Sequence, residues 1–295
     1  MKEMVGARFQ HFLKAILLMA FDLFFIKLHT TGDISKYINP KYENMSFVAI
    51  WIFTLLFLIQ LFRIWENNRN EHAYCPPGCN HDHGDSASVP RKLVNYSIIL
   101  FPLVTGFALS PSVLDASIAA NKGTVLPQSN SNSYEEELME YEFGYDEEVI
   151  DNDNFLSDKE YDDKMKKLEQ SELIEMKEDI FASYYEAISD SPVNFQGKKI
   201  KVQGFVYKEK GMRGNQLVLS RFLITHCIAD ASIIGLMAEL EKANEYPEDT
   251  WLEMEGTLDV MIYNGVEIPV IKAVNWKVIE EPTSPYIYPV LTKIL

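Results

Sequence analysis

Five side chains able to ligate a soft or borderline metal fall within twelve positions. They are His72, Cys75, Cys79, His81 and His83 of the run HAYCPPGCNHDHGD, with Asp82 and Asp85 beside them. Thiolate and imidazole together suit Zn²⁺, which takes four such ligands in a tetrahedron. Pro76, Pro77 and Gly78 form a turn that can bring the two cysteines to one centre. The C-x₃-C-x-H-x-H spacing lacks the second half of a zinc finger, which favours an exchangeable or transport-related site over a folding staple; a solvated polar loop with reduced thiols is the plainer reading. A weaker second group is His226, Cys227 and Asp230, where a bend in the chain would be needed to turn all three toward one ion. A buried Cys and a surface His explain that group equally well. Neither a nucleophile–base–orienter set nor a phosphate loop stands out, so the sequence reads as non-enzymatic.

Three apolar stretches surround the first cluster. The strongest is SFVAIWIFTLLFLIQLFRIW, residues 46–65, without a charge before Arg63 and with Trp51 and Trp65 near its ends, where interfacial aromatics concentrate. Residues 9–28 are long enough to span a bilayer but include Lys14, Asp22 and Lys27 and lack the cleavage site of a signal peptide. Residues 93–110 are shorter and contain Pro102 and Gly106, both tolerated in membrane helices; a re-entrant helix is the alternative. With the N-terminus inside, seven Lys/Arg near the membrane ends fall on the inner side and four on the outer. The three stretches predict three spans and a multi-pass cell-membrane protein, and the bias predicts an N-terminus inside and an extracytoplasmic C-terminal domain. Asp22 has no Lys or Arg at i±4, which predicts a contact to another membrane subunit or a polar path, unless the helix is only partly embedded.

The 295 residues hold 27 Lys+Arg against 43 Asp+Glu, a net charge of −16. The charge is uneven: +2 through Lys122 and −18 from Gly123 onward. Nucleic acid, bound through Lys/Arg-rich surfaces, is therefore not an expected partner. Three cysteines exclude a disulfide scaffold. Residues 123–163 read as an acidic flexible linker, with 14 acidic residues and one Lys between Glu135 and Asp163. Ser157 with Glu160 three positions on predicts a capped helix over 157–170; a second helix is expected near 179–189.

Beyond Gly197 the pattern turns to strands. KKIKVQGFVYK (198–208), NQLVLSRFLIT (215–225), part of HCIADASIIGLMAEL, WLEMEGTLDVMIY and VEIPVIKAVNWKVIE give five, with Gly204 as a bulge and Asn264-Gly265 as a hairpin turn. The predicted class is α+β: N-terminal transmembrane helices (domain 1–122, loop 72–85) plus a C-terminal five-stranded OB-like β-barrel in domain 164–295. An open sandwich is the alternative.

The ordered segments KLHTTGDISKYINPKY, the His-rich loop, LFPLVTGFALSPSVLDASIAANKG, GKKIKVQGFVY and RFLITHCIADA together resemble the YcgQ-like permease-subunit family of Gram-positive bacteria. The resemblance implies a membrane accessory subunit partnered with a multi-spanning permease in the lipid bilayer. In that family the barrel often carries two adjacent cysteines where this chain has His226-Cys227, which weakens a disulfide reading and leaves a metal reading standing. Two functions follow as expectations: a non-enzymatic permease subunit handling a divalent metal such as Zn²⁺, or a membrane-tethered module whose barrel binds an extracytoplasmic peptide or cell-surface ligand.

Overall fold

The computed structural model describes residues 2–65, 89–109, 113–122, 126, 155–209 and 211–293. The chain divides into two units: residues 1–37 with 42–112, and residues 38–41 with 113–295. The loop at 72–85 and most of the acidic segment lie outside the described residues.

The first unit is helical. Helix α1 runs Lys2–Thr31, α2 Glu43–Trp65 and α3 Val89–Ala108. A 3₁₀ turn at Asp33–Lys36 follows α1 and another at Pro40–Tyr42 leads into α2. Both α2 and α3 pack on α1. The phenylalanines Phe21 and Phe25 of α1 stack on Phe53 of α2 at 5.5 and 6.0 Å. Lys27 closes the end of α3. Its Nζ donates to the carbonyl of Phe107 at 3.1 Å, supplying a cation to carbonyls that the helix leaves without intrahelical donors. Three apolar stretches were expected to span a membrane; among the described residues one helix, residues 40–65, is long and apolar enough by itself. The first is interrupted by ionisable side chains, and the uninterrupted apolar part of α3 is only Val94–Ala108.

In the second unit, α4 (Ala116–Lys122) is followed by β1 (Phe155–Ser157), α5 (Asp158–Gln170), β2 (Leu173–Glu175), α6 (Phe181–Asp190) and α7 (Pro192–Phe195). The Ser157–Glu160 capping box is present: Glu160 donates its backbone N–H to Ser157 Oγ and its carboxylate accepts from the Ser157 backbone. Strand β1 and the start of α5 therefore fall within the stretch read as linker from composition. The order continues with β3 (Lys199–Tyr207), β4 (Gln216–Leu223), β5 (Ser232–Glu239), β6 (Trp251–Tyr263), β7 (Val266–Val278), β8 (Tyr286–Ile287) and β9 (Leu291–Lys293).

The main sheet has seven strands, ordered β2-β3-β6-β7-β5-β4-β8, and an additional β3–β4 pairing closes β3, β6, β7, β5 and β4 into a ring. Asn264 and Gly265, both at positive φ, turn the β6–β7 hairpin. The expected bulge at Gly204 is not there. The β3–β6 register runs unbroken past it, and the irregularity lies at Glu255/Gly256 on β6. Gly204 serves a close approach instead: a Cβ would sit 2.9 Å from the carbonyl oxygen of Ser220 on β4.

One core cluster joins Ile200, Leu217, Leu236, Leu252 and Ile271 of the ring to Phe181 and Ile188 of α6. A second gathers Phe205, Phe222, Trp251 and Ile268 with Ala116 and Ala119 of α4. Arg221, 1% exposed, lies against the Trp251 and Phe181 rings, and its Nε and Nη2 donate to the carbonyls of Pro285 and Ser284. Burial lowers its pKa, opposed by Glu178, yet a guanidinium stays charged. Those bonds hold the segment after β7 so that β8 can pair with β4.

Candidate functional site

Helix α2 has an inverted pattern of burial. Its two buried residues are polar, Ser46 and Gln60, while Trp51 is 74% and Phe62 70% exposed. Only 11% of the most apolar window of residues 40–65 is buried. A soluble helix buries its apolar stripe and shows its polar one; this arrangement suits a helix whose outer solvent is hydrocarbon.

The polar residues turned inward meet polar residues of α1. His11, Asp22 and His29 are spaced by eleven and seven residues, about three and two helical turns, so they form one stripe. Each has a partner on α2. Gln60 Nε2 lies 2.5 Å from His11 Nδ1. Thr54 Oγ1 donates to Asp22 Oδ2 at 2.9 Å. His29 Nε2 lies 2.7 Å from Ser46 Oγ, and its Nδ1 is 3.5 Å from the Glu43 carboxylate. The partner sought for Asp22 is thus a hydroxyl of the same chain, on the next helix. Asp22 Oδ1 and His29 Nδ1 remain buried without a hydrogen-bond partner among the described residues.

The second sequence candidate is a turn after β4. Asp230 Oδ2 accepts the backbone N–H of His226 at 2.8 Å and of Cys227 at 3.1 Å, and Oδ1 accepts that of Thr225 at 3.2 Å. Asp230 Oδ2 also lies 3.1 Å from His226 Nδ1. Asp230 therefore organises the turn, and Cys227 is a half-buried free thiol. His226 and Asp230 are brought together, but among the described residues no three His, Cys, Asp or Glu side chains form a group that could hold a metal ion. The primary candidates His72, Cys75, Cys79, His81 and His83 lie outside the described residues.

Sequence reasoning missed what seats this turn. Asn39, from the connection between α1 and α2, is 2% exposed. Its backbone N–H donates to the His226 carbonyl at 2.9 Å, its Nδ2 to the Thr225 carbonyl at 2.9 Å, and Ile38 bridges Cys227. Residues Ile38–Lys41 accordingly belong to the C-terminal unit, although the chain on both sides of them belongs to the helical one. No local pattern announces such a contact. Ser46 and Gln60 were legible in principle, as polar positions within an apolar run.

Comparison with known proteins covers both units. The DUF1980 N-terminal domain matches residues 13–125 and the DUF1980 C-terminal domain residues 151–289. UPF0703 protein YcgQ of Bacillus subtilis (strain 168) is 31% identical over 287 residues, covering 93% of this chain and 98% of the relative. A Streptococcus mutans serotype c protein named as a two-component membrane permease complex subunit is 23% identical over 266 residues, covering 88% of this chain and 93% of the relative.

Proposed function

Because this chain belongs to the YcgQ-like DUF1980 family, we propose that it is a non-enzymatic accessory subunit of a multi-spanning membrane permease. The observation that carries the reading is the inverted burial of α2, polar inside and apolar outside, in a chain with a relative named as a permease complex subunit. The helical unit sits in the cell membrane and docks on the permease. The closed ring of strands, with its five members and hairpin, acts as a small OB-like barrel on the extracytoplasmic side.

The topology is three spans with the N-terminus inside. What supports one side for the α1–α2 connection and the C-terminal domain is that Ile38–Lys41 belong to the same unit as the strands. Helix α2 leaves that side, and the chain must return to it through α3. The basic residues near the helix ends, seven against four, set that side as the outer one.

The cargo is a divalent metal such as Zn²⁺, held or relayed by Cys75, Cys79, His81 and His83, with His72 in reserve. Thiol deprotonation on binding makes this site weaker as pH falls. The test is a tagged full-length chain extracted from its native membrane in mild detergent. It should bring down a multi-spanning membrane protein in stoichiometric amount, and should bind Co²⁺ with a thiolate charge-transfer band that Cys75→Ser/Cys79→Ser abolishes. Recovery of the chain alone from the membrane would leave the tethered binding module as the better account.

A further inference from the structure

His29 and Glu43 form a geometry that none of the relatives' names assigns. The side chain of His29 is 5% exposed, its ring lies against that of Phe47 with centroids 3.8 Å apart, and it sits in the last turn of α1. Ser46 Oγ lies 2.7 Å from His29 Nε2 and donates to the backbone carbonyl of Glu43 at 2.6 Å. A hydroxyl has one hydrogen. With that hydrogen spent on the Glu43 carbonyl, Ser46 can only accept from the imidazole, so the proton of the neutral ring is on Nε2. Nδ1 then presents a bare lone pair, buried and without a hydrogen-bond partner. It faces Glu43 Oε1 at 3.5 Å.

These features are those of a metal half-site. A tetrahedral ion held about 2.0–2.1 Å from an imidazole nitrogen and about 2.0–2.2 Å from a carboxylate oxygen places the two ligand atoms about 3.3–3.5 Å apart. A ligating histidine typically donates its other N–H to an oxygen that fixes its tautomer, which is the position of Ser46. We propose that His29 Nδ1 and Glu43 form a second, exchangeable site for a divalent ion of the Zn²⁺ or Co²⁺ kind, at the end of the α1–α2 pair. Half of the tetrahedron is left to water or to a donor arriving with the ion. Glu43 is 45% exposed, which gives the ion an entry side. Two protein ligands make a site that releases its ion readily, as a handover point must. The inference deepens the metal-handling reading and rests on it for its role in the cell; the site itself is tested apart from the loop.

The experiment is Co²⁺ titration of the full-length protein in detergent, followed by absorbance. In a loop variant with Cys75→Ser, Cys79→Ser, His72→Gln, His81→Gln and His83→Gln, one Co²⁺ should still bind, with ligand-field bands and no thiolate charge-transfer band. Adding His29→Gln should remove it. Glu43→Gln, a change at an exposed side chain that leaves the His29–Ser46 bond in place, should weaken it about tenfold. Ser46→Ala, which frees the tautomer, should weaken it about 10- to 100-fold. Binding in the loop variant that is unchanged by His29→Gln and Glu43→Gln overturns the proposal, as does a loop variant that binds no Co²⁺. If the loop variant instead keeps the full stoichiometry of the unmodified protein while His29→Gln lowers it, this site stands and the loop reading falls.

Discussion

The two units obey one rule against two solvents. In the strand unit Ile200, Leu217, Leu252 and Ile271 are each 0% exposed, and among the described residues Arg221 is the one charged side chain buried with them. In α2 the buried side chains are Ser46 and Gln60, and Leu55 and Val48 are each 58% exposed. Removing apolar area from water stabilises the first arrangement at about 25 cal/mol per Å². That driving force is missing between helices whose surroundings are themselves hydrocarbon, where packing and interhelical hydrogen bonds take over. The rungs His11–Gln60, Asp22–Thr54 and His29–Ser46, with Phe21 and Phe25 stacked on Phe53, specify how α1 meets α2. Exposure by itself therefore says little about a residue; the solvent it is exposed to decides its energetic meaning.

The sharpest way to break this contrast is one exchange made in both units. Leu252→Ala in the strand core should cost about 2–5 kcal/mol, through lost transfer energy and the cavity left behind. Leu55→Ala on α2 should cost less than about 1 kcal/mol, because lipid fills the space. Chemical denaturation of the detergent-solubilised chain, followed separately by strand and helix signals, reads both. Equal losses would show that Leu55 packs against protein. A second pair uses matched exposure. Leu55 and Val193 are both 58% exposed. Leu55→Arg puts a charge near the middle of α2, where insertion costs about 2.5–3.5 kcal/mol, and should strongly lower the amount of chain recovered in membranes. Val193→Arg at a water-facing position should stay within about 0.5 kcal/mol and leave recovery unchanged.

Much of the strand unit was legible because its signals are local. Ser157 and Glu160 are three apart and cap the helix they announce. Asn264-Gly265 adopts the positive φ values a tight hairpin needs, and alternation placed β3, β4, β6 and β7 within a residue or two. The parallel pairings β2–β3 and β1–β9 and the short strand β8 were not foreseen, since each is set by a partner far along the chain. Gly204 was read as a bulge because a strand glycine signals either a bulge or a close approach; only the neighbouring strand decides between them. Asn39 is the extreme case, bonded to carbonyls 185 and 186 positions away. In the helical unit, Asp22 was recognised as needing a partner, but Thr54 could not be chosen without the register of α1 on α2.

The smallest expected effect isolates what charge contributes in the water-facing unit, where no hydrocarbon surrounds it. Glu253 on β6 accepts from Gln203 Nε2 at 2.7 Å and pairs with Lys277 at 2.8 Å and Lys201 at 3.5 Å. The hydrogen bond from Lys277, then that from Gln203, lowers its pKa from 4.5 to about 2. A carboxylate whose pKa is depressed in the folded state stabilises the fold above its unfolded value and loses that contribution as the pH falls. For Glu253 the contribution is full above about pH 4.5 and fades as the pH drops through about 2. Glu253→Gln should therefore lower the melting temperature of the strand unit at neutral pH, by the equivalent of about 1 kcal/mol or less, because Lys277 is 65% exposed and water screens the pair. The deficit should shrink between pH 4.5 and 2, where the unmodified protein loses its own advantage. High salt should shrink it too, whereas the loss from Leu252→Ala should persist across the same range. A Glu253→Gln deficit that stayed constant down to pH 2 would mean that the side chain acts through packing rather than charge.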